Sequence, residues 1–316
     1  MKSFHLTHYK VYRPEFAGLK VGLLSDVHFS TQVSDAKLQS IVDFFKKRQP
    51  DYLILPGDLF DSNESLDDPA EAERLLHWLK QLGRVAPLLY SLGNHEFLRA
   101  TGQKHPHWYY EFNFDFFQRI IKLPNVHVLN DVSYEDKKLY AFGLTQDRDY
   151  YDFEFTHEGT GYLHPGQENK SALLKLFSAH KDKIHDLPKD KLKFAVIHSP
   201  VYLQDKDIRA KLKEFDFVIS GHMHNGVVPP IFNELIPNQK GIIAPAKRFL
   251  PTTTRNTYKA YADQLIVLGP VTTFHKCSGV MHYLNALYPT YLAMLEFTKE
   301  QKYARKPYIG RKYLSK

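Results

Sequence analysis

Cysteine is all but missing: Cys277 stands alone among 316 residues, so no disulfide can close within the chain. A lone thiolate also cannot build the sulfur cluster of a structural zinc site or an iron–sulfur centre, which leaves His, Asp, Glu or Asn to hold any metal. Cys277 itself is read as a packing residue. Long apolar runs are missing too, and nothing approaches the roughly 18 residues that a membrane-spanning helix needs. The opening MKSFHLTHYK lacks the apolar core of a signal peptide, so the expected compartment is the cytoplasm. With no internal repeat and no long low-complexity linker, the chain reads as a single domain over residues 1–316.

Hydrophobic residues make up 43% of the chain, aromatics 14% and charged residues 24%, enough apolar material for a core and too much for intrinsic disorder. The formal charge of +7 favours anionic partners without choosing among phosphates, nucleic acid and a membrane surface. Seventeen histidines are the unusual feature, and imidazole is the commonest metal ligand.

Short apolar runs alternate with stretches of helical period, the pattern of an α/β protein. KVGLLS, DYLILP, APLLYSL, KFAVIH and FDFVISG read as buried strands. SDAKLQSIVDFFKKRQ places Leu38, Ile41, Val42 and Phe45 on one helical face, with Ser34 as N-cap and Pro50 as stop. DPAEAERLLHWLKQLG repeats the plan, with Pro69 in the first turn and Gly83 expected just past the end. VHVLN, VSYED and KKLYAFGL suggest an antiparallel stretch or second sheet, QENKSALLKLFSAHK a covering helix, NTYKAYADQLIVL a strand pair and YLAMLEFT a last strand.

Two segments read as pocket-forming insertions, 97–123 and 225–255. In the first, Trp108, Tyr109, Tyr110, Phe112, Phe114, Phe116 and Phe117 are expected to pack a helix onto the domain, and His105 and His107 to lie at the surface. The basic ending, with Lys302, Arg305, Lys306, Arg311 and Lys312, is expected to be a solvated tail, with contact to anionic lipid or nucleic acid as the alternative.

Each of the five apolar strands runs directly into polar donors: Asp26 and His28; Asp58 and Asp61; Asn94, His95 and Glu96; His198; and His222 with His224. Ligands bind at the carboxyl ends of strands in open α/β sheets, so these tips are expected to converge on one cleft. In extended chain, residues i and i+2 project to the same side, which aims Asp26 with His28, and His222 with His224, into one cavity. Gly57, Gly93 and Gly221 allow a sharp turn off the strand and a close backbone approach. A donor set of oxygen and nitrogen without sulfur suits manganese, iron or zinc. Two ions about 3.5–4 Å apart with a shared carboxylate would use such a set fully.

The ordered blocks Asp26-x-His28, Gly57-Asp58-x-x-Asp61, Gly93-Asn94-His95-Glu96, His198 and Gly221-His222-x-His224 closely resemble the calcineurin-like metallophosphoesterase superfamily. The remaining chain, with GIIAPAKRFLP after a long distal loop, looks like a bacterial branch of UDP-diacylglucosamine hydrolase-like and membrane-associated phosphoesterases. The resemblance implies a four-layer αββα sandwich, two mixed sheets flanked by helices. It assigns one metal to Asp26, His28 and His224, and the other to Asn94, His198 and His222, with Asp58 bridging. The ions implied are divalent or mixed-valence, Mn²⁺, Fe²⁺/Fe³⁺ or Zn²⁺. The implied activity is hydrolysis of a phosphodiester or phosphomonoester by in-line attack of a metal-bridging hydroxide. His95 would stabilise the transition state or protonate the leaving oxygen, and Asp61 would orient a histidine.

The expected partner is an anionic phosphoester, nucleotide- or lipid-linked, because the insertions can bury a sizeable leaving group. A nuclease on the same centre is the lesser reading, since no continuous basic groove or nucleic-acid module is present. The rival from another class is a non-catalytic metal-binding scaffold, which the complete donor set disfavours. No protein partner is identifiable from the sequence.

Overall fold

A computed structural model of the chain describes residues 4–101, 107–151, 168–229, 232, 240–244, 248–249, 264–274, 288–304 and 308–314. Its strands are β1 (Phe4–Tyr12), β2 (Lys20–Leu23), β3 (Tyr52–Leu55), β4 (Leu88–Tyr90), β5 (Leu98–Thr101), β6 (His107–Tyr110), β7 (Val126–Val128) and β8 (Ser133–Glu135). They continue with β9 (Leu139–Leu144), β10 (Leu192–Ile197), β11 (Phe217–Ser220), β12 (Ile243–Ala244), β13 (Arg248–Phe249), β14 (Gln264–Val267), β15 (Thr290–Thr298) and β16 (Tyr308–Leu314). The helices are α1 (Asp35–Arg48), α2 (Pro69–Val85), α3 (Phe114–Ile121), α4 (Arg148–Tyr151), α5 (Lys170–Ala179), α6 (Lys181–Ile184) and α7 (Lys206–Leu212).

A seven-stranded sheet runs β16-β1-β15-β2-β3-β4-β7 and a five-stranded sheet runs β14-β11-β10-β9-β8. Both are mixed: β2, β3, β4 and β7 are parallel, as are β9, β10, β11 and β14, with antiparallel pairs at β15–β2, β1–β16 and β8–β9. Alternate residues face opposite ways along a strand, so each sheet needs two apolar covers. Val21, Leu23, Ile54 and Leu89 from the larger sheet pack with Leu139, Leu192, Phe194, Val196, Phe217 and Ile219 from the smaller one, which makes the central layer. Leu53, Leu55, Leu88 and Tyr90 face outward onto α1, α2 and α3, and Phe142, Ala195, Ile197 and Val218 face α4–α7. The result is the expected four-layer αββα sandwich.

The two crossover helices form for reasons visible in their ends. Ser34 caps α1 by accepting the Lys37 N–H, Asp35 occupies the first turn and Lys46, Lys47 and Arg48 the last, which suits the helix dipole. Leu38, Ile41, Val42 and Phe45 are buried as their spacing predicts. Asp68 caps α2 ahead of Pro69, but the helix does not stop at Gly83; it continues to Val85. A Cβ at Gly83 would sit 2.7 Å from the Pro124 carbonyl oxygen, so this glycine serves close helix–loop packing inside the helix.

Several expectations are corrected. VHVLN does not join an antiparallel stretch, because β7 extends the larger sheet in parallel with β4; only β8 and β9 pair antiparallel in the second sheet. Around NTYKAYADQLIVL the described part is β14, parallel to β11; residues 256–263 lie outside the described residues. The basic ending is not a loose tail: β16 pairs antiparallel with β1 over Tyr308–Leu314, although Lys302 and Lys312 remain exposed, and Arg305 and Lys306 lie outside the described residues. β1 pairs in parallel with β15, and β15 separates it from β2.

The first insertion is a hairpin, β5–β6, followed by α3. Phe116 and Phe117 are buried and Phe112 packs beside them, while Phe114 is exposed at 62%. Tyr110, Phe97, Phe112, Phe117 and Tyr90 form a continuous run of stacked rings. The Asn63 amide nitrogen fastens the hairpin base by donating to the carbonyls of Leu98 and Glu111 at 3.0 and 2.8 Å. His105 and Cys277 lie outside the described residues, as does most of 225–255.

Asp136 ties the sheets together. Its carboxylate accepts the Tyr52 hydroxyl of β3 at 2.6 Å and the backbone N–H groups of Lys138 and Leu139 at 2.9 Å. Burial alone would raise this carboxyl, but the Tyr52 and backbone hydrogen bonds outweigh it and hold it below its ordinary value. Asp136→Ala is expected to cost about 2 kcal/mol in urea unfolding at pH 7. A carboxylate with a depressed pKa stabilises the fold above its unfolded pKa and loses that contribution as pH falls through the folded one. The stability gap between wild type and variant should therefore narrow below about pH 4, and a gap that widens there would contradict the assignment.

Candidate metal centre

The five strand tips meet. Donor atoms of Asp26, His28, Asp58 and His224 lie within 4.8 Å of one another, as do those of Asp58, His198 and His222, and Asp58 is common to both groups. Asp58 Oδ2 lies 3.1 Å from His198 Nε2 and 3.7 Å from His28 Nε2, while Oδ1 accepts the His95 N–H at 3.0 Å. Asp26 accepts the His222 N–H at 2.9 Å and faces His224 Nε2 at 3.5 Å. Asn94 sits between Gly93 and His95 with its Oδ1 buried and without a hydrogen-bond partner.

The imidazoles are held for ligation from behind. His198 Nδ1 donates to the Pro56 carbonyl at 2.6 Å and His224 Nδ1 to the Thr273 carbonyl at 2.8 Å, which leaves each Nε2 as the lone-pair nitrogen facing the cluster. His28 and His224 present Nε2 to Nε2 at 2.9 Å. The Thr273 loop is itself held by Lys37, whose Nζ donates to the Val271 carbonyl and Thr272 Oγ1.

The backbone is bent hard to achieve this. Asp26, His28, Asp58, His222 and His224 all have φ between +45° and +66°, a region non-glycine residues adopt at a cost on the order of 1–3 kcal/mol and mostly at functional sites. The neighbouring glycines are required by space: a Cβ at Gly221 would lie 2.6 Å from Asp26 Oδ2, and one at Gly93 would overlap Asp58 Oδ1.

Burial would raise the Asp58 carboxyl, but the imidazoles of His198, His95 and His28 hold it well below the usual range. Burial would lower His198, yet Asp58 brings it up to about 9, so a cation taken up at Nε2 replaces the proton that Asp58 favours there. Burial, with His198 alongside, takes His222 down to about 4, so its imidazole is neutral at pH 7.

His95 and Asp61 join a third group with His28, all three buried. The His95 Nδ1 donates to the main-chain carbonyl of Asp61 at 2.5 Å, and its ring meets His28 edge-on with centroids 4.6 Å apart. The Asp61 carboxylate lies 3.9 Å from His28 Nδ1.

Two buried carboxylates near the centre, Glu96 and Glu168, are assigned no role by the sequence. Glu96 accepts N–H groups from Leu59 at 2.7 Å, Gly93 at 2.7 Å and Asp58 at 3.2 Å, and the Tyr90 hydroxyl at 2.7 Å. It thus clamps two of the tip loops, and burial together with Asp58 raises it to about 7. Its place in the Gly93–Glu96 block was the available signal. Glu168, 3.5 Å from His222 Nε2, had none.

The donor chemistry, the unpartnered Asn94 oxygen and the lone-pair nitrogens fit a pair of divalent cations. Such a donor set at the strand ends of an αββα sandwich forms a candidate dinuclear metal centre. Residues 19–226 match the calcineurin-like phosphoesterase family, more than half of the chain, and the chain belongs to that family.

Two curated relatives are similar. A Danio rerio transmembrane protein with metallophosphoesterase domain is 36% identical over 86 residues, covering 26% of this chain and 18% of that protein. An uncharacterized metallophosphoesterase of Campylobacter jejuni is 23% identical over 231 residues, covering 71% of this chain and 49% of that protein. The chain therefore matches about half the length of the second relative and less of the first.

Among solved structures, a dimetal phosphatase from Danio rerio shows 13% identity and a TM-score of 0.45, over 82% of this chain and 90% of that one. A phosphopantetheinyl hydrolase from Mycobacterium tuberculosis shows 15% identity and a TM-score of 0.38, over 66% and 84%. No helix among the described residues is long and apolar enough to cross a membrane.

Proposed function

We propose that the chain hydrolyses a phosphoric ester, with Asp26, His28 and His224 holding one divalent ion, Asn94, His198 and His222 the other, and Asp58 serving both. The observation that carries this reading is the membership of Asp58 in two buried donor groups at once. Divalent cations supply Lewis acidity toward phosphoryl oxygens and lower the pKa of an attacking water. Mn²⁺, Fe²⁺/Fe³⁺ or Zn²⁺ suits the mixed oxygen and nitrogen donors. The substrate is a phosphodiester or phosphomonoester, nucleotide- or lipid-linked, in one domain spanning 1–316 whose segments 97–123 and 225–255 wall the pocket.

His95 acts on the substrate. With Nδ1–H donating to the Asp61 carbonyl, the ring in its imidazolium form carries a second proton on Nε2, which stabilises charge on, or is given to, the leaving oxygen. Asp61 positions it and steadies His28. His95→Ala is expected to keep two metals and to slow turnover by roughly 10²-fold or more, most strongly for poor leaving groups. Comparison of a nitrophenyl with an alkyl phosphoester tests this, and equal losses on both would remove the proton-donor role.

A further inference from the structure

The segment between β9 and β10 reaches the centre at both of its described ends. Tyr151, closing α4, packs its ring 5.8 Å from that of His222. Glu168, just ahead of α5, places Oε1 3.5 Å from His222 Nε2, with a side chain only 2% exposed. A carboxylate buried this deeply persists when it is paired.

Its delivery is rigid. The backbone N–H of the next residue, Asn169, donates to the Tyr150 carbonyl at 2.7 Å, and Asn169 Oδ1 caps α5 by accepting from Ser171 and Ala172. The Tyr150 hydroxyl in turn reaches Ser199 Oγ and the Val201 carbonyl, and Gln146 bonds both backbone polar groups of Ser199, the neighbour of His198. Two short helices outside the five motif blocks are thus tied to the loop that carries His198, and they set one carboxylate against His222.

We propose that Glu168 is a positioning residue for the His222 half of the centre: it holds the imidazole by Nε2–H, so that the other ring nitrogen faces the ion with raised basicity. A carboxylate behind a metal-bound histidine fixes its tautomer and orientation, and losing such a partner costs about 10–100-fold in metal affinity. The inference rests on His222 being a ligand.

The test is chelator competition on the full chain, with bound Mn²⁺ or Zn²⁺ counted, for wild type, Glu168→Ala, Glu168→Met and Glu168→Gln, each checked for folding by thermal melting. Both apolar variants should lose about 10-fold or more in affinity for one ion and keep the other, and Gln, whose amide oxygen still accepts a hydrogen bond, should recover most of the loss. Met fills the vacated volume if Ala destabilises the fold. Two ions bound with wild-type affinities in the apolar variants would overturn the proposal. So would a Gln variant no better than Ala, which would mark the carboxylate as a direct ligand. Wild type that holds fewer than two ions would instead sink the reading of His222 beneath it.

Discussion

Replacing Asp58 by Asn is expected to cut turnover on the order of 10³-fold and to cost the protein at least one of its two metal equivalents. Asn has the same shape, so its carbonyl oxygen can still accept the His95 N–H that Asp58 Oδ1 accepts at 3.0 Å, and the fold should survive. What disappears is the negative charge between His28 Nε2, at 3.7 Å, and His198 Nε2, at 3.1 Å. Asp26 and Asp58 are the only carboxylates in the proposed set and Asp58 alone serves both dications, so neutralising it leaves the ions repelling each other across a neutral amide. Metal analysis and turnover of an activated phosphoester read the effect. Full activity with both metals retained would refute the shared-ligand assignment.

Glu96→Ala is expected to lower stability by about 3–6 kcal/mol, the largest single loss anticipated outside the apolar core. Three buried N–H groups, of Asp58, Leu59 and Gly93, and the Tyr90 hydroxyl share its carboxylate as acceptor. Each donor stranded in a buried site costs about 1–3 kcal/mol, reduced where water enters the space left behind. Because two of those donors carry the loops of Asp58 and Asn94, metal affinity should fall with stability. Tyr90→Phe removes one bond and leaves the clamp, so it should cost only about 1 kcal/mol. Urea midpoints for the two variants separate a shared clamp from an isolated hydrogen bond, and similar midpoints would contradict the clamp.

Local sequence spoke clearly wherever local chemistry decides the structure. Apolar strands ending abruptly in Asp, Asn and His, with i and i+2 pairs and glycines where no Cβ fits, point to one cleft, and the folded chain brings those side chains together. The Ser34 cap and the buried face of α1 follow from the same kind of pattern. Partnerships across the chain do not. β1 finds its neighbours near residues 290 and 310, and its buried His5 and Thr7 blur the apolar alternation that marks a strand. Gly83 looked like a helix end because a helix interior rarely tolerates glycine unless another backbone approaches, and the approach comes from Pro124. Glu168 was unreadable for a similar reason: its position at a helix start gives no sign that the start is pinned beside His222.

The most direct test of the dinuclear reading is turnover of matched aryl phosphodiester and phosphomonoester substrates by metal-stripped protein re-supplied with manganese, with bound metal counted in parallel. The expected result is about two metals per chain and hydrolysis of at least one of the two substrates that rises with the second equivalent. Absence of turnover together with less than one bound metal per chain would contradict the account and leave the fold as a scaffold.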